Sequence, residues 1–309
     1  MSKKVDIIVV NWNSGLLTLQ AVSPYVGFEN NEISCHVIVV DNGSEDDSLA
    51  LLKNKVPDLI SNKENMGFGK ACDEAFLQCK GDYILLLNPD TSSSPKVLEK
   101  LVLFLETNPS YAVVGPQQTD EKGNIATTCG RFPAFSTAIF ELLGLSKVFP
   151  KIFTPVPIMT DWNHMESKDV DHVMGSYMLI RRSVLDITGF MDDAYFVYGE
   201  DIDLSRRIQN AGYKVYYTTE CTIIHEGGGT GRKVKTERLF YSLVSRRIYW
   251  KKHLGKASSF ILTFFSITVE PFLRIIDSSI KEKKLVVKRI TKAYSLYLNK
   301  IFRADSFLH

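Results

Sequence analysis

Residues 5–15 read VDIIVVNWNSG. The first six are a short, largely β-branched apolar run, the composition of a strand covered on both faces, and a polar stretch begins at Asn11. The same alternation recurs downstream. A helical pattern over 16 to about 26 leads to a second strand at 36–40, the turn Asp41-Asn42-Gly43-Ser44, and a helix over 47–55 whose start is marked by Ser44 and its acidic neighbours. Leu59 and Ile60 predict a short third strand, 68–79 a helix, and 83–87 a fourth strand ending at Asn88-Pro89-Asp90. Strands alternating with helices predict an α/β chain whose mostly parallel sheet has covered faces.

Ligands of such sheets sit beyond the carboxyl ends of the strands, so residues 11–13, 41–44 and 88–90 are expected to line one crevice. A nicotinamide-binding domain would carry GxGxxG after its first strand. NWNSG stands there instead, and the dinucleotide reading loses its main support. Further on the pattern predicts a helix over 95–107, a strand at 112–115, a hairpin around 120–123, a strand over 173–181, a helix beginning near Glu200, and short strands at 214–217 and 222–225 before a loop at 227–229. The Pro-rich stretch 131–161 reads as irregular, and 132–160 receives no assignment.

The 309 residues are 45% hydrophobic and carry a net charge of +2, which excludes disordered and fibrous classes and allows a full core. That charge is unevenly spread. Residues 231–309 hold 18 basic and 5 acidic side chains, a net of +13, and the preceding 230 residues have a net of −11. Such asymmetry suggests different partners for the two parts. Cys35, Cys72, Cys79, Cys129 and Cys221 form no CxxC pair, so a disulfide framework or structural zinc is not expected and a reduced, cytosolic compartment fits better. The N-terminus lacks a signal-peptide apolar stretch. Near the C-terminus the longest uncharged run, 257–269, has 13 residues, short of the roughly 20 needed to span a bilayer, so no transmembrane segment is expected.

Four places carry chemistry. Asn88 and Asp90 end an apolar strand; one carboxylate suffices for a divalent cation that also binds a substrate's phosphates, and the same residues also suit a plain turn. Asp41 can accept a hydrogen bond from a base or sugar while Gly43 lets the backbone approach, or it can form an Asx turn. In FVYGEDIDLSRR, residues 196–207, the carboxylates of Glu200, Asp201 and Asp203 lie within four residues and repel, an arrangement kept beside a cation or where one group acts as a base. Helical spacing from Asp203 to Arg207 also allows a surface ion-pair ladder. His225, before Glu226 and three glycines, is either a structural histidine or a ligand beside a closing loop.

In order, VVNWN (9–13), VVDNGS (39–44), NMGFGKA (65–71), LLLNPD (85–90), MGSYMLIRR (174–182), GFMDDAYFVYGEDIDLSRR (189–207) and IIHEGGG (223–229) resemble the family 2 glycosyltransferases with the GT-A fold, in particular the bacterial rhamnosyltransferase-like branch. The resemblance covers residues 5 to about 230 and implies a GT-A catalytic domain over 1–230 followed by a basic helical region over 231–309. It implies that Asn11, Asp41 and Asn42 hold the nucleotide base and ribose, that Asn65 and Gly67 belong to a loop closing over the donor, and that Gly175 joins the substrate-binding residues. Asp90 matches the last acid of the metal-binding DxD, whose first acid is here Asn88, and His225 completes that site for Mg²⁺ or Mn²⁺. Asp201 matches the catalytic base, with Glu200 beside it. Ala71-Cys72-Asp73 departs from the Asn-rich helix start usual there.

The implied reaction is inverting transfer from a nucleotide-diphosphate sugar, dTDP-rhamnose first and UDP-sugars next, to a glycan or lipid-linked glycan in bacterial surface polysaccharide synthesis. A nucleotidyltransferase would be expected to show a Gly-rich, basic phosphate loop after the first strand, which NWNSG does not supply; a non-catalytic glycan-binding scaffold would be expected to lack Asp90 or Asp201. In the tail, Phe260, Ile261, Phe264, Phe265, Phe272, Ile275 and Ile276 recur near helical spacing, and Val286, Val287, Ile290, Tyr294, Tyr297 and Ile301 make a second apolar face opposite Lys284, Lys288 and Lys292. Residues 257–309 therefore suit peripheral contact with an anionic membrane from the cytoplasmic side, or helices packed on the catalytic domain or across a homo-oligomer, and the two are compatible. Nucleic acid is not an expected partner, because the basic residues accompany an aliphatic face without a recognised binding module.

Overall fold

The chain's first half folds as its period dictates. In the computed structural model, which describes residues 2–156, 158–227, 235–276 and 283–305, β1 (Lys3–Asn11), α1 (Gly15–Val22), β2 (Ile33–Asn42), α2 (Ser48–Leu52), β3 (Asp58–Asn62), α3 (Phe68–Phe76) and β4 (Tyr83–Leu87) follow one another. β1 and β2 run parallel in unbroken register from Lys3 opposite Ile33 to Asn11 opposite Asp41, so two strand-end polar residues arrive side by side. α1 ends before the 26 expected from sequence: Ser23 is still helical, but Pro24 has no N–H with which to continue the hydrogen bonds. α2 is shorter than 47–55 as well. Ser44 does not mark its start, since its hydroxyl is donated to Asp41 Oδ1 at 2.6 Å.

β5 (Thr91–Ser92), α4 (Pro95–Thr107) and β6 (Tyr111–Thr119) come next, and Asp120–Gly123 turns a hairpin in which Thr119 stands opposite Ile125. β7 (Cys129–Gly130) precedes the unassigned stretch, which contains α5 (Phe135–Leu142) and α6 (Leu145–Val148). β8 (Lys168–Val170), β9 (His172–Val173), β10 (Tyr177–Arg181), α7 (Arg182–Thr188), α8 (Glu200–Asn210) and β11 (Lys214–His225) complete this part. The strand expected over 173–181 is interrupted at 174–176, where the chain leaves β9, paired with β7, and joins the main sheet as β10. The two strands expected at 214–217 and 222–225 are one, β11, with a register shift between Thr218 and Thr222.

The nine-stranded sheet has the order β3-β2-β1-β4-β10-β6-β11-β5, with β8 also on β11. Its parallel pairs flank β10, which is antiparallel to both β4 and β6. Alternate residues of β1, β2 and β4 feed two separate cores. Ile8, Ile38, Val40, Ile84 and Leu86 pack with α3 on one face, and Val5, Ile7, Val9, Val37, Val39 and Leu85 pack with α1 and α4 on the other.

Two compact units emerge, one of Met1–Phe132, Ile158–Phe196 and Glu200–Thr230, the other of Pro133–Pro157, Val197–Gly199 and Gly231–His309. The second contains α5, α6, α9 (Lys235–Tyr249), a π-helical turn at Trp250–Leu254, α10 (Lys256–Thr268), α11 (Glu270–Ile276) and α12 (Lys283–Asp305). Most of the apolar face of α12 is covered: Ile290, Tyr294 and Tyr297 are buried with Leu243 of α9, and Val286 and Ile301 pack against that cluster, while Val287 of that face and Leu285, Leu296 and Phe302 are exposed. Among the described residues one helical stretch, Lys256–Ile276, is long and apolar enough by length and composition to cross a membrane, with mean hydropathy 1.6 and 28% of its apolar window buried. It exceeds the uncharged run read from sequence by continuing past Glu270 and Arg274.

An unexpected polar group sits at the start of β1. Asp6, 3% exposed, accepts the backbone N–H groups of Lys80 (2.7 Å) and Gly81 (2.6 Å). His36 Nδ1 lies 2.8 Å from Asp6 Oδ1 while its Nε2 lies 2.6 Å from Asp58 Oδ2, and only the imidazolium can donate to both. Burial works to lower the His36 pKa, but the carboxylates of Asp58 and Asp6 outweigh it and the net shift is upward. A raised folded-state pKa gives stability that is fully present below the unfolded value of about 6.5 and is lost as pH rises through the folded value. His36→Gln should therefore lower the melting temperature near pH 6 and change it little near pH 9. Equal losses at both pH values would eliminate the charged bridge.

Candidate functional site

The carboxyl ends of β1, β2 and β4 deliver their polar residues to one edge of the sheet. Asn11 Nδ2 donates to Asp41 Oδ1 at 2.6 Å, Thr18 Oγ1 donates to Asn11 Oδ1 at 2.8 Å, and the Ser44 hydroxyl closes the group. Asp41 is 1% exposed, and its Oδ2 meets only a long contact of 3.4 Å from the Ser44 N–H. That oxygen therefore retains most of its accepting capacity. Asn42 turns the other way. Its carboxamide donates to Asn65 Oδ1 (3.0 Å) and to the Gly67 carbonyl (3.2 Å), and accepts from the Met66 N–H (3.0 Å) and Asn62 Nδ2 (3.2 Å). It organises the 62–67 loop with its own hydrogen-bonding groups occupied.

Two glycines permit this packing. At Gly43 (φ +70°) a Cβ would stand 2.4 Å from the Glu64 carbonyl carbon, and at Gly67 (φ +90°) 2.5 Å from the Phe196 carbonyl oxygen. The Phe68 N–H donates to that same carbonyl at 2.7 Å, tying the loop to the segment preceding α8. Asp73 of α3 holds the other end of that segment, accepting the Met191 N–H at 3.0 Å. Burial, and then the neighbouring Asp193 carboxyl, push the Asp73 pKa up to about 7.

At β4 the pairing of β5 with β11 sets His225 opposite Thr91, and His225 Nε2 comes within 3.2 Å of Asp90 Oδ1. His225 Nδ1 lies 2.9 Å from Gln118 Oε1, an atom that can only accept, so the proton belongs on Nδ1. Its Nε2 then faces a carboxylate oxygen. Two electron-rich atoms so placed require either a second proton or a cation, and a histidine whose other nitrogen is fixed by a hydrogen bond is the usual metal-ligand arrangement. Asp90 and His225 thus fit a divalent cation. Among the described residues no group of three or more His, Cys, Asp or Glu side chains could hold one alone, so further coordination would come from substrate oxygens and water. Asn88, partly exposed, ends β4 beside them, and an open crevice of about 560 Å³ lined by Gln20, Asp90, Ser92, Glu121 and Glu226 adjoins Asp90.

The acids of α8 separate by role. Asp203 is fully buried and accepts from Arg207 Nε at 2.8 Å, while the same guanidinium donates to the carbonyls of Thr188, Gly189 and Phe190. The helical spacing does form an ion pair, but it is an internal brace and not the surface ladder that the spacing also allowed, because Asp203 is fully buried. Asp201 is partly exposed, and its Oδ2 accepts the Gly175 N–H at 3.1 Å. Glu200 is 7% exposed and its Oε2 has no hydrogen-bond partner among the described residues. Burial first, and then the Asp201 charge, push its pKa to about 8, so it is mainly protonated at neutral pH.

Residues 174–176 connect these groups. Gly175 holds Asp201; the Ser176 carbonyl accepts the Asn88 N–H at 2.9 Å; and the Ser176 hydroxyl exchanges hydrogen bonds with Gln118 at 2.9 and 3.0 Å. A polar chain therefore runs from Asp90 through His225 and Gln118 to Ser176, next to the residue that holds Asp201. Sequence reasoning missed Gln118, Ser176 and Asp73. Gln117-Gln118 at the end of an apolar strand is the same kind of signal as Asn88 and Asp90, while no local pattern marks Asp73. Gly228 and Gly229 of the expected loop lie outside the described residues.

Residues 6–188 match the model of the family described as glycosyl transferase family 2. The N-acetylglucosaminyl-diphospho-decaprenol L-rhamnosyltransferase of Mycobacterium tuberculosis is 25% identical over 214 residues, covering 63% of this chain and 68% of that protein. The rhamnosyltransferase WbbL of Escherichia coli is 27% identical over 197 residues, 60% of this chain and 70% of its own. Among solved structures, a mannosyltransferase from Pyrobaculum calidifontis in complex with GDP-Man and Mn²⁺ superposes with a TM-score of 0.56 at 12% identity, covering 96% of this chain and 88% of that one. Glucosyl-3-phosphoglycerate synthase from Mycobacterium tuberculosis gives 0.53 at 14% identity, over 82% of this chain and 81% of that one. With the family model matched over more than half its length and a sheet of this topology beneath it, the chain belongs to glycosyl transferase family 2 and has the GT-A fold.

Proposed function

We propose that this glycosyltransferase inverts configuration while moving rhamnose from dTDP-rhamnose to a hydroxyl of a glycan or lipid-linked glycan in bacterial surface polysaccharide synthesis. The observation that carries the reading is the pair of sites joined through residues 174–176: a partly exposed carboxylate at Asp201 and the Asp90–His225 pair. Rhamnose is favoured by the names of the two relatives above, and a lipid-linked acceptor by the decaprenol-linked one. The first unit would be the catalytic one, and residues 257–309 would hold the chain peripherally at the cytoplasmic face of the plasma membrane.

In this reading Asp41 Oδ2 and the 62–67 loop receive the nucleoside, with Asn11 and Asn42 fixing their positions, and Asn88 and Gly175 border the sugar. Asp90 and His225 would hold Mg²⁺ or Mn²⁺, which supplies neutralising charge for the departing diphosphate. Asp201 accepts the proton of the acceptor hydroxyl. The acceptor oxygen forms its bond to the anomeric carbon from the side opposite the diphosphate, and the carbon–diphosphate bond breaks. Beside Asp201, burial and that neighbouring carboxylate raise the Glu200 pKa, which favours a neutral companion to the proposed base.

Asp201→Asn should lower kcat by about a thousandfold while donor affinity stays within about twofold by calorimetry; near wild-type turnover would remove Asp201 as base. Chelation should abolish transfer and Mn²⁺ or Mg²⁺ restore it, and His225→Ala should raise the cation concentration needed by about tenfold or more. Activity indifferent to exhaustive chelation would exclude the proposed cation site. Glu200 allows a pH test. Its raised pKa means that the folded state binds the extra proton between about 4.5 and about 8, so stability falls as pH rises across that window. Glu200→Gln should remove this slope in melting temperature and retain most activity at pH 7, whereas an unchanged slope would contradict a buried, protonated Glu200.

A further inference from the structure

The helical unit turns part of its apolar surface outward. On α10 the buried positions are Ser259, Leu262, Thr263 and Ser266, whereas Phe260, Ile261 and Phe264 are 77, 41 and 57% exposed. On α11 Glu270 is buried while Phe272 and Ile276 are 66 and 74% exposed. The inward polar face has a cause. Glu270 Oε2 accepts from Arg246 at 2.6 Å and from Ser266 at 2.9 Å, and its Oε1 accepts from Arg274 Nε at 2.8 Å. Burial by itself works to raise the Glu270 pKa, but Arg246 and Arg274 bring it down to about 2. The ionic cluster shares the inner face with Leu262, Ile267 and Ile275, and Phe260, Phe264 and Phe272 are left on the outer one.

Small and polar residues facing protein, with large apolar residues facing outward, is the pattern of helices packed in lipid. A soluble helix shows the reverse. A second exposed apolar group, Val148, Phe149 and Ile152, follows α6, whose leading Gly144 lies against Leu273 of α11. Lys147, Lys151, Lys251, Lys252 and Lys256 are exposed on the same two segments and the turn before them. Over its sequence the unit holds 20 Lys and Arg against 6 Asp and Glu. Positive charge beside an aromatic face complements an anionic lipid surface.

We propose that the outer face of α10 and α11, with Val148, Phe149 and Ile152, seats in the headgroup–acyl boundary of an anionic bilayer and lies in its plane. This rests on the membrane reading above and changes which surface makes the main contact: the basic helix α12, whose Ile290, Tyr294 and Tyr297 are taken up against α9 and whose exposed Leu285, Leu296 and Phe302 are scattered, supports the unit. Crossing the bilayer would be costly despite sufficient length, because a spanning Lys256–Ile276 would have to carry Glu270 into hydrocarbon away from Arg246.

The test is flotation of the full chain with vesicles of equimolar phosphatidylglycerol and phosphatidylcholine. The combined variant Phe260→Ser, Phe264→Ser and Phe272→Ser should lose about a hundredfold in partitioning, with donor hydrolysis and melting temperature unchanged. Lys284→Gln, Lys288→Gln and Lys292→Gln on α12 together should weaken it by less than about threefold, below the loss expected if those charges faced the lipid. If the phenylalanine variant floats like wild type while the lysine variant does not, this inference fails and membrane contact through 257–309 stands. Wild-type protein that ignores the vesicles defeats both. A dimer of the wild type that the phenylalanine variant dissociates, with lipid binding unaltered, would assign the face to a second copy and overturn the lipid assignment, and resistance to carbonate extraction from membranes would overturn the in-plane placement.

Discussion

Four hydrogen bonds made by two adjacent residues hold the site together. Gly175 and Ser176 sit where the chain passes from β9 to β10, and that short break gives them free main-chain groups that an unbroken strand would have spent on its neighbours. The Gly175 N–H goes to Asp201, the Ser176 carbonyl to Asn88, and the Ser176 hydroxyl to Gln118, which in turn orients His225 against Asp90. Groups from β4, β6, β11 and α8 are thereby referenced to one dipeptide at the centre of the sheet. β10 can be that centre because it runs antiparallel between β4 and β6, which brings its first residues to the edge where β4 and β6 end.

Buried charge is handled differently in each region. At the start of β1, Asp6 is satisfied by two backbone N–H groups and an imidazolium, an arrangement that locks the strand beginnings and leaves the opposite, ligand-facing edge free to carry chemistry. Asp203 is neutralised by an arginine that also caps three carbonyls, so it fixes α8 in place. Glu200, one turn earlier and equally buried, receives no such partner among the described residues and keeps its proton instead. Neighbouring acids on one helix thus differ according to what surrounds them: Asp203 is an internal brace, Asp201 is partly exposed at the site, and Glu200 is buried with its pKa raised.

The same reasoning extends to the helical unit. Glu270 lies within a stretch whose apolarity would let it pass for a membrane span, yet its carboxylate is bound by two arginines and a serine inside the protein. An ion cluster of that kind decides which side of α10 and α11 faces inward and so which residues are displayed. α12 has the more regular amphipathic pattern and is the helix most of whose apolar side is covered.

Much was legible from the one-dimensional pattern. Apolar runs of five or six residues between helical periods determined the strands β1, β2 and β4 and the parallel character of this part of the sheet, because only a sheet covered on both faces accepts such runs; β3 showed only as Leu59 and Ile60, and the ordered motifs carried the family. Polar residues at strand ends were likewise visible as candidates, since a polar group following a buried strand must emerge at its edge. What sequence could not decide was which alternative each candidate took. Whether Asp203 or Asp201 belongs to an ion pair, whether Asn42 faces a ligand or its own loop, and whether α10 and α11 or α12 shows its apolar face all depend on partners far away in the chain: Arg207 with the 188–190 carbonyls, the 62–67 loop, and Arg246 with α9. Local periodicity records only which residues share a face, whereas the packing of distant elements determines what that face meets.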